Sequence, residues 1–256
     1  QYGLGKSMGF NYATLSQEVD QIAKMPLMHQ PGARFSYGLS TNVLGRLIEI
    51  VSQQSLDHYL QNNILMPLEM KDTYFYLPDE KKNRLVKTYF KTTANQLEEV
   101  DTALFPINYP LQKKRQYFSA IGGLVSTTHD YLKFLNCLLN EGVASKGKMI
   151  ISKALLDQFW TNQLGNKTFI FGGFPSPNNF GLGVGLTTPK GQSMNNASVG
   201  SFFWGGAFNT AYMVDKQREL ITLYFFQRTP FVLPPLLSKL EKTSIQIIDQ
   251  YQYARP

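Results

Sequence analysis

The 256-residue sequence predicts an α+β fold in which an antiparallel sheet covered by a C-terminal helix follows a helical subdomain. Three observations carry this. Apolar residues recur with helical spacing before residue 140, short β-rich runs separated by turn-sized connections crowd between 180 and 227, and a final segment returns to helical spacing. A single domain is expected over residues 1–256, with about 1–165 mostly helical and about 180–256 forming sheet and terminal helix.

The elements follow in chain order. "QPGARFSYGLSTNVLGRLIEIVSQQ" opens on a Pro-Gly turn, after which Val43, Leu44, Leu47, Ile48 and Val51 share a helical face, with Ser40 or Thr41 available as N-cap. A second helix starts from about Ser55, capped by that serine, and "MPLEM" breaks it at Pro67. "SAIGGLVSTTHD" leads into a third helix from Thr128 to about Asn140. Gly122 and Gly123 mark a tight backbone site there, and Ser126, Thr127 or Thr128 can cap. Residues 166–179, rich in Gly, Asn and Pro, read as a loop. Phe180–Thr188, Ser201–Gly206, Thr210–Val214 and Leu220–Gln227 read as strands, the last two joined by the hairpin-sized "DKQRE". Beyond Pro234 and Pro235, Leu236, Leu237, Leu240, Ile245, Ile247 and Ile248 give a terminal helix an apolar side to lay on the sheet.

Composition removes several function classes. With 43% hydrophobic and 17% charged residues the chain can bury a core, which excludes the disordered class. Its three histidines are scattered and its one cysteine, Cys137, can form neither an internal disulfide nor a thiolate metal site, so no metal and no other cofactor is expected. Cys137 lies in the apolar helical pattern "YLKFLNCLLNEG", the setting of a buried, inert thiol. The net charge of +7 raises the question of an anionic partner. The basic residues, however, fall in short solvated runs, Asp79–Lys87 and Gln112–Gln116, without a nucleic-acid module, and no nucleic-acid partner is expected. No apolar run approaches the roughly 20 residues of a membrane-spanning helix, so no span is expected in this chain.

"SFFWGGAF", Ser201 to Phe208, places two glycines in what otherwise reads as a strand. Glycine in a strand interior costs stability, and two readings account for it: a bulge or close packing of another element, or the approach of a ligand to exposed backbone N–H groups.

Three blocks taken together bear on that choice: "PGARFSYGLSTNVLGRLIEIVSQQSLDHYLQNNILMPLEMKDTYF", "SAIGGLVSTTHDYLKFLNCLLNEG" and "FFWGGAFNTAYMVDKQRELITLYFFQ". In this order and spacing they resemble the serine β-lactamase and penicillin-binding-protein superfamily, and within it the class C-like esterase branch. The resemblance implies a β-lactamase/transpeptidase-like fold and a cleft where three motifs meet: S-x-x-K, a tyrosine-centred motif, and K-T-G or a variant on a sheet strand. It implies that Tyr37 is the motif tyrosine, that Trp204, Gly205 and Gly206 occupy the third motif and contact substrate, and that Ala207 offers a backbone N–H to an oxyanion. A serine hydroxyl needs a neighbouring base, which a desolvated lysine one helical turn on can supply. A tyrosine, with a pKa of about 10, relays protons only beside such a cation.

The sequence departs from the family pattern in three ways. Its only S-x-x-K, Ser145 to Lys148, follows the tyrosine block in a polar, Gly-containing connection and is expected to be a surface turn, since a nucleophile needs a rigid, buried setting. The family's nucleophile helix is expected to precede Gln1, in the same or a separate chain, where any targeting signal would also lie; were that N-terminal part of the fold absent altogether, a hydrolase-derived scaffold without acyl-transfer chemistry is expected. Trp204 replaces the lysine that would pair with a carboxylate, and the tyrosine motif reads Tyr37-Gly38-Leu39 without the amide-bearing asparagine. Both replacements favour uncharged esters with an apolar acyl group.

Three functions remain open at this point. The first is a serine hydrolase, a carboxylesterase working through an acyl-serine on a small-molecule ester or amide, with its nucleophile in the preceding segment. The second is a β-lactamase or D-Ala carboxypeptidase, which turnover or trapping of penicillins would reveal. The third is a non-catalytic scaffold or interaction protein.

Overall fold

A computed structural model describes residues 12–94, 96–100, 109–112, 116–171, 173–229 and 235–253. The centre of the basic run at Gln112–Gln116, the start at Gln1, Pro234 and the side chain of Leu236 lie outside the described residues. The chain divides into two compact units, Gln1–Gln30 with Gly38–Tyr131, and Pro31–Tyr37 with Leu132–Pro256.

The first unit is built on α1 (Leu15–Ile22), α2 (Ser40–Ser52) and α3 (Leu56–Leu60). Thr14 caps α1 by accepting from the Gln17 N–H at 3.3 Å while the Gln17 side chain accepts from the Ala13 N–H at 3.1 Å, close to a reciprocal capping box. The cap expected at Ser40 or Thr41 is not used: α2 begins at Ser40 itself, and Leu39 stands at its N-cap with no side-chain bond. Ser55 does cap α3, accepting from the His58 N–H at 3.4 Å, and the chain continues into a π-helical turn, Gln61–Leu65, ahead of Pro67.

Leu15, Leu56, Phe75 and Tyr117 form the core here, with Val19, Ile48, Leu60, Phe118 and Ala120 packed around them. α2 reaches that core through Gly45, where an added Cβ would come within 2.8 Å of the Ala120 Cβ and 3.1 Å of Leu15. Val43, Leu44, Leu47, Ile50 and Val51 instead leave an apolar face of α2 in water. A hairpin of exposed residues, β1 (Tyr89–Lys91) with β2 (Leu97–Glu99), interrupts the region expected to be helical. In the run Asp79–Lys87, Lys81 and Arg84 both bind the carboxylate of Asp72, and these two hydrogen-bonded cations hold its pKa down at about 2. Of the two glycines expected to mark a tight site, Gly123 qualifies, because a Cβ would collide with the Ser119 carbonyl and Phe75, whereas Gly122 faces open space.

A buried polar cluster locks α1 to α2. Glu18, 2% exposed, accepts from the Asn42 amide at 2.6 Å and the Tyr117 hydroxyl at 2.7 Å, and the Asn42 carbonyl accepts the Ala120 and Ile121 N–H groups at 2.9 and 3.1 Å. Burial raises the Glu18 pKa, and the hydrogen bonds from Tyr117 and Asn42 oppose that rise without cancelling it. A carboxyl whose pKa is raised by folding gives stability that is complete below the unfolded-state value and is lost as pH rises through the folded-state value. Thermal melts of the intact natural protein from about pH 4 to about pH 7 are therefore expected to favour Glu18→Gln over the parent increasingly as pH rises. A constant difference in Tm across that window would mean that folding does not raise the Glu18 pKa.

The helix expected from Thr128 is α4 (Thr128–Leu139), capped by Thr127, which accepts the Asp130 N–H at 3.2 Å. Its second half buries Leu135, Cys137 and Leu138 in the second unit. α5 (Lys153–Phe159), capped by Ser152, follows.

The segment expected to be a loop at 166–179 holds a short hairpin, β3 (Ile170–Phe171) with β4 (Phe174–Pro175), and the start of β5 (Asn179–Phe180). The strand expected over Phe180–Thr188 is two short strands, β5 and β6 (Gly185–Leu186). Between them the chain folds back at Gly183, whose φ of 84° only glycine adopts freely, closed by the Gly181 N–H to Val184 carbonyl bond of 2.8 Å. α6 (Pro189–Asn195) then leads to β7 (Phe202–Gly205), β8 (Thr210–Asp215) and β9 (Leu220–Phe225), completing an antiparallel sheet in the order β5-β6-β7-β8-β9. As expected, α7 (Pro235–Tyr253) covers one face, with Ile245 packed against Met213, Ala197, Phe203 and Leu220. Arg218 fastens it: its guanidinium binds Asp249 on α7 at 2.6 Å and Asp215 at the end of β8 at 3.0 Å. Burial works against the Asp215 charge, but bonds from Ser198 and Arg218 outweigh it and hold the carboxyl below its usual range.

Candidate active site

Strand alternation decides what β7 presents. Phe203 points to α7, so Phe202 and Trp204 lie on the opposite face, where Phe202 stacks on Trp160 at 5.4 Å. Further along that face Trp204 meets four rings: Phe180 at 5.3 Å, Phe171 at 5.4 Å, Tyr37 at 5.8 Å and Phe169 at 6.1 Å. Phe35 holds the approach of the Pro31–Tyr37 segment, packing on Phe180 at 5.0 Å and Phe169 at 5.2 Å. Tyr37 is thereby delivered to Trp204 with 53% of its surface exposed, and among the described residues its phenol oxygen has no hydrogen-bond partner.

Past Trp204, Gly205 pairs with Ala211 and is exposed. Gly206 donates to the Thr210 carbonyl at 2.8 Å and accepts the Asn209 N–H at 3.0 Å, so Ala207 and Phe208 are the central residues of a tight turn and Asn209, at φ 63°, is its left-handed residue. Ala207 is exposed at that turn. A side chain at Gly206 would run into the Thr210 hydroxyl, so close packing accounts for one of the two glycines, while Gly205 is exposed on the strand.

The structure thus brings Tyr37, Trp204, Gly205, Gly206 and Ala207 onto one stretch of a single unit. It leaves Ser145 apart, in an exposed turn closed by the Gly147 N–H to Ala144 carbonyl bond of 2.8 Å. His129 is exposed at the start of α4, and Cys137 is buried, with burial raising its thiol pKa.

The Beta-lactamase family model matches residues 4–236, nearly the whole chain, through both units and all three blocks. The chain belongs to the Beta-lactamase family. Protein Rv1367c of Mycobacterium tuberculosis (strain ATCC 25618 / H37Rv) is 30% identical over 217 residues, covering 82% of this chain and 52% of that protein. Monacolin J acid methylbutanoyltransferase of Aspergillus terreus is 27% identical over 235 residues, 89% of this chain and 57% of the enzyme. Among solved structures, EstCE1, a hydrolase with promiscuous acyltransferase activity, superposes with a TM-score of 0.73 at 20% identity, over 90% of this chain and 61% of its own. This Beta-lactamase family chain spans about half the length of the curated relatives it matches.

Four residues of the site were not singled out from sequence. Phe169 and Phe171 stand two apart, the alternation of a strand, inside a segment whose Gly, Asn and Pro content pointed to a loop. Phe180 falls on an expected strand, but nothing local to it names the rings it meets. Asn209 is 1% exposed, and its amide donates to the Arg228 carbonyl, tying the turn that carries Ala207 to the chain after β9. Asn209→Ala removes a buried hydrogen bond and places a Cβ-bearing residue without a local side-chain bond at positive φ, and is expected to cost about 1–3 kcal/mol in urea unfolding of the intact natural protein. Asn209→Gly, which keeps the backbone conformation, should lose less; equal losses would assign the whole effect to the lost side-chain contacts.

Proposed function

We propose that this chain forms the acyl-binding and proton-relay part of a serine carboxylesterase, with the S-x-x-K nucleophile supplied from polypeptide outside residues 1–256. The observation that carries the reading is the setting of Trp204. Where a carboxylate-reading member of the family would hold a cation, an indole stands among Tyr37, Phe171 and Phe180, an environment that favours a neutral apolar group and offers a charged one no partner.

In the reaction so read, the serine hydroxyl attacks the ester carbonyl and gives its proton to the lysine and Tyr37 pair. The negative charge that develops on the carbonyl oxygen is held by the Ala207 N–H. Tyr37 returns the proton to the departing alcohol, leaving an acyl-serine, and water then repeats the sequence to release the acid. An alcohol in place of water would yield a new ester, and the methylbutanoyltransferase relative supports that second outcome from the same intermediate. An alkyl fluorophosphonate is expected to label the intact natural protein covalently, and a neutral nitrophenyl ester to be turned over ahead of a chromogenic cephalosporin. Absence of labelling would return the protein to the scaffold reading, and preference for the cephalosporin to the β-lactamase reading.

A further inference from the structure

We infer that Phe171 is a specificity-determining residue of this site: its ring, with Trp204, forms the wall against which the acyl chain of a neutral ester lies, and it orients the Tyr37 ring. The inference rests on the ester reading above.

Three rings in mutual contact support it. Phe171 meets Tyr37 at 5.3 Å and Trp204 at 5.4 Å, both nearly edge to face, and Tyr37 and Trp204 are themselves 5.8 Å apart. With no hydrogen bond to its phenol oxygen among the described residues, Tyr37 is oriented by these two ring contacts. Trp204 is fixed in the middle of a five-stranded sheet, whereas Phe171 comes from a two-stranded hairpin that carries apolar surface outward from the site. Its register partner Phe174 is 77% exposed and its neighbour Ile170 is also exposed. The wall therefore has a rigid side, Trp204, and a side whose breadth is set by one residue. A two-carbon acyl group is too short to use such a wall, while an eight-carbon chain can lie along it. Shortening Phe171 removes apolar surface that only the long chain reaches and enlarging it adds such surface, so the two changes should move chain-length preference in opposite directions.

The test uses the intact natural protein with Phe171→Ala, Phe171→Leu and Phe171→Trp, and compares kcat/KM for nitrophenyl octanoate and nitrophenyl acetate. Phe171→Ala is expected to lower the octanoate-to-acetate ratio by about tenfold, because it strips apolar contact that only the longer chain makes. Phe171→Leu, which keeps an apolar side chain should the alanine variant fail to fold, gives an intermediate fall, and Phe171→Trp raises the ratio. A second arm needs no chemistry. In protein labelled with 5-fluorotryptophan, the Trp204 resonance, assigned by its loss in Trp204→Phe, is titrated with 2-decanone, a neutral ligand that cannot be hydrolysed. The resonance is expected to shift, with a midpoint that changes severalfold in the Phe171 variants. Ester turnover with the same chain-length ratio in all variants overturns the role of Phe171 and keeps the ester reading. Ketone binding that depends on Phe171 without any ester turnover overturns the ester reading and keeps the wall. Neither turnover nor binding overturns both.

Discussion

Tyr37→Phe in the intact natural protein is expected to lower kcat on a neutral nitrophenyl ester by about 10²–10⁴-fold, the loss typical of a removed general acid or base. The substitution is clean because of where Tyr37 sits. Its contacts with Phe171 and Trp204 are ring contacts, which phenylalanine reproduces, and its hydroxyl has no partner among the described residues whose loss would weaken the fold. Stability should therefore stay within about 0.5 kcal/mol of the parent, as for a surface change that breaks no packing or hydrogen bond. Stopped assays of kcat beside urea unfolding check both halves. Normal kcat with lost stability would make Tyr37 one more packed aromatic.

Trp204→Lys is expected to shift substrate preference towards carboxylates. An indole offers apolar area and one N–H donor, whereas an ammonium at the same place gives a carboxylate a charge-assisted hydrogen bond, worth about 1.5–3 kcal/mol. That is about 10- to 150-fold in the ratio of kcat/KM for a chromogenic cephalosporin to that for a neutral nitrophenyl ester, using 1.4 kcal/mol per factor of ten. The neutral ester should lose on its own account, because the rings of Phe169, Phe171 and Phe180 would face a hydrated cation where they now face an indole. Trp204→Leu separates the two effects: it removes the indole without adding charge, so it should weaken the ester and leave the cephalosporin unimproved. An unchanged ratio in Trp204→Lys would show that this side chain does not face substrate.

The elements that local pattern made legible are those in which one physical signal runs long enough to be counted. β7, β8 and β9 each carry β-branched or aromatic residues over four to six positions, and α2, α4 and α7 each repeat apolar residues through several turns. β3 and β4 have two residues each, too few to establish a period among turn-forming neighbours, and β5 and β6, equally short, read as one strand because nothing in Phe180–Thr188 but its glycines marks the fold-back. α1 and α5 are short, and what marks them in the sequence is a cap, Thr14 with Gln17 and Ser152 ahead of Leu155, and not a period long enough to count. The two stretches that meet at the candidate site were legible through the first and third blocks, which hold Tyr37 and Trp204. The lining of the site was not, because Phe35, Phe169 and Phe180 meet only by folding segments far apart in sequence, and nothing local to any of them names its partners. Tyr37 and Trp204 could be named separately; that their rings touch is a fact of packing.

The apolar face of α2 gives these residues a colloidal character that the net charge alone would hide. Val43, Leu44, Leu47, Ile50 and Val51 attract one another across molecules at short range, while a formal charge of +7 repels over the Debye length. At about 10 mM salt that length is about 30 Å, and repulsion keeps molecules apart before the stripes can meet; at about 1 M it is about 3 Å and the barrier is gone. Sulfate acts twice, screening the charge and strengthening apolar association by its exclusion from the surface. Handled without anything laid over that helix, residues 1–256 should stay dispersed in dilute buffer and salt out early, so that the ammonium sulfate cut used to concentrate them is also the step that drives them together.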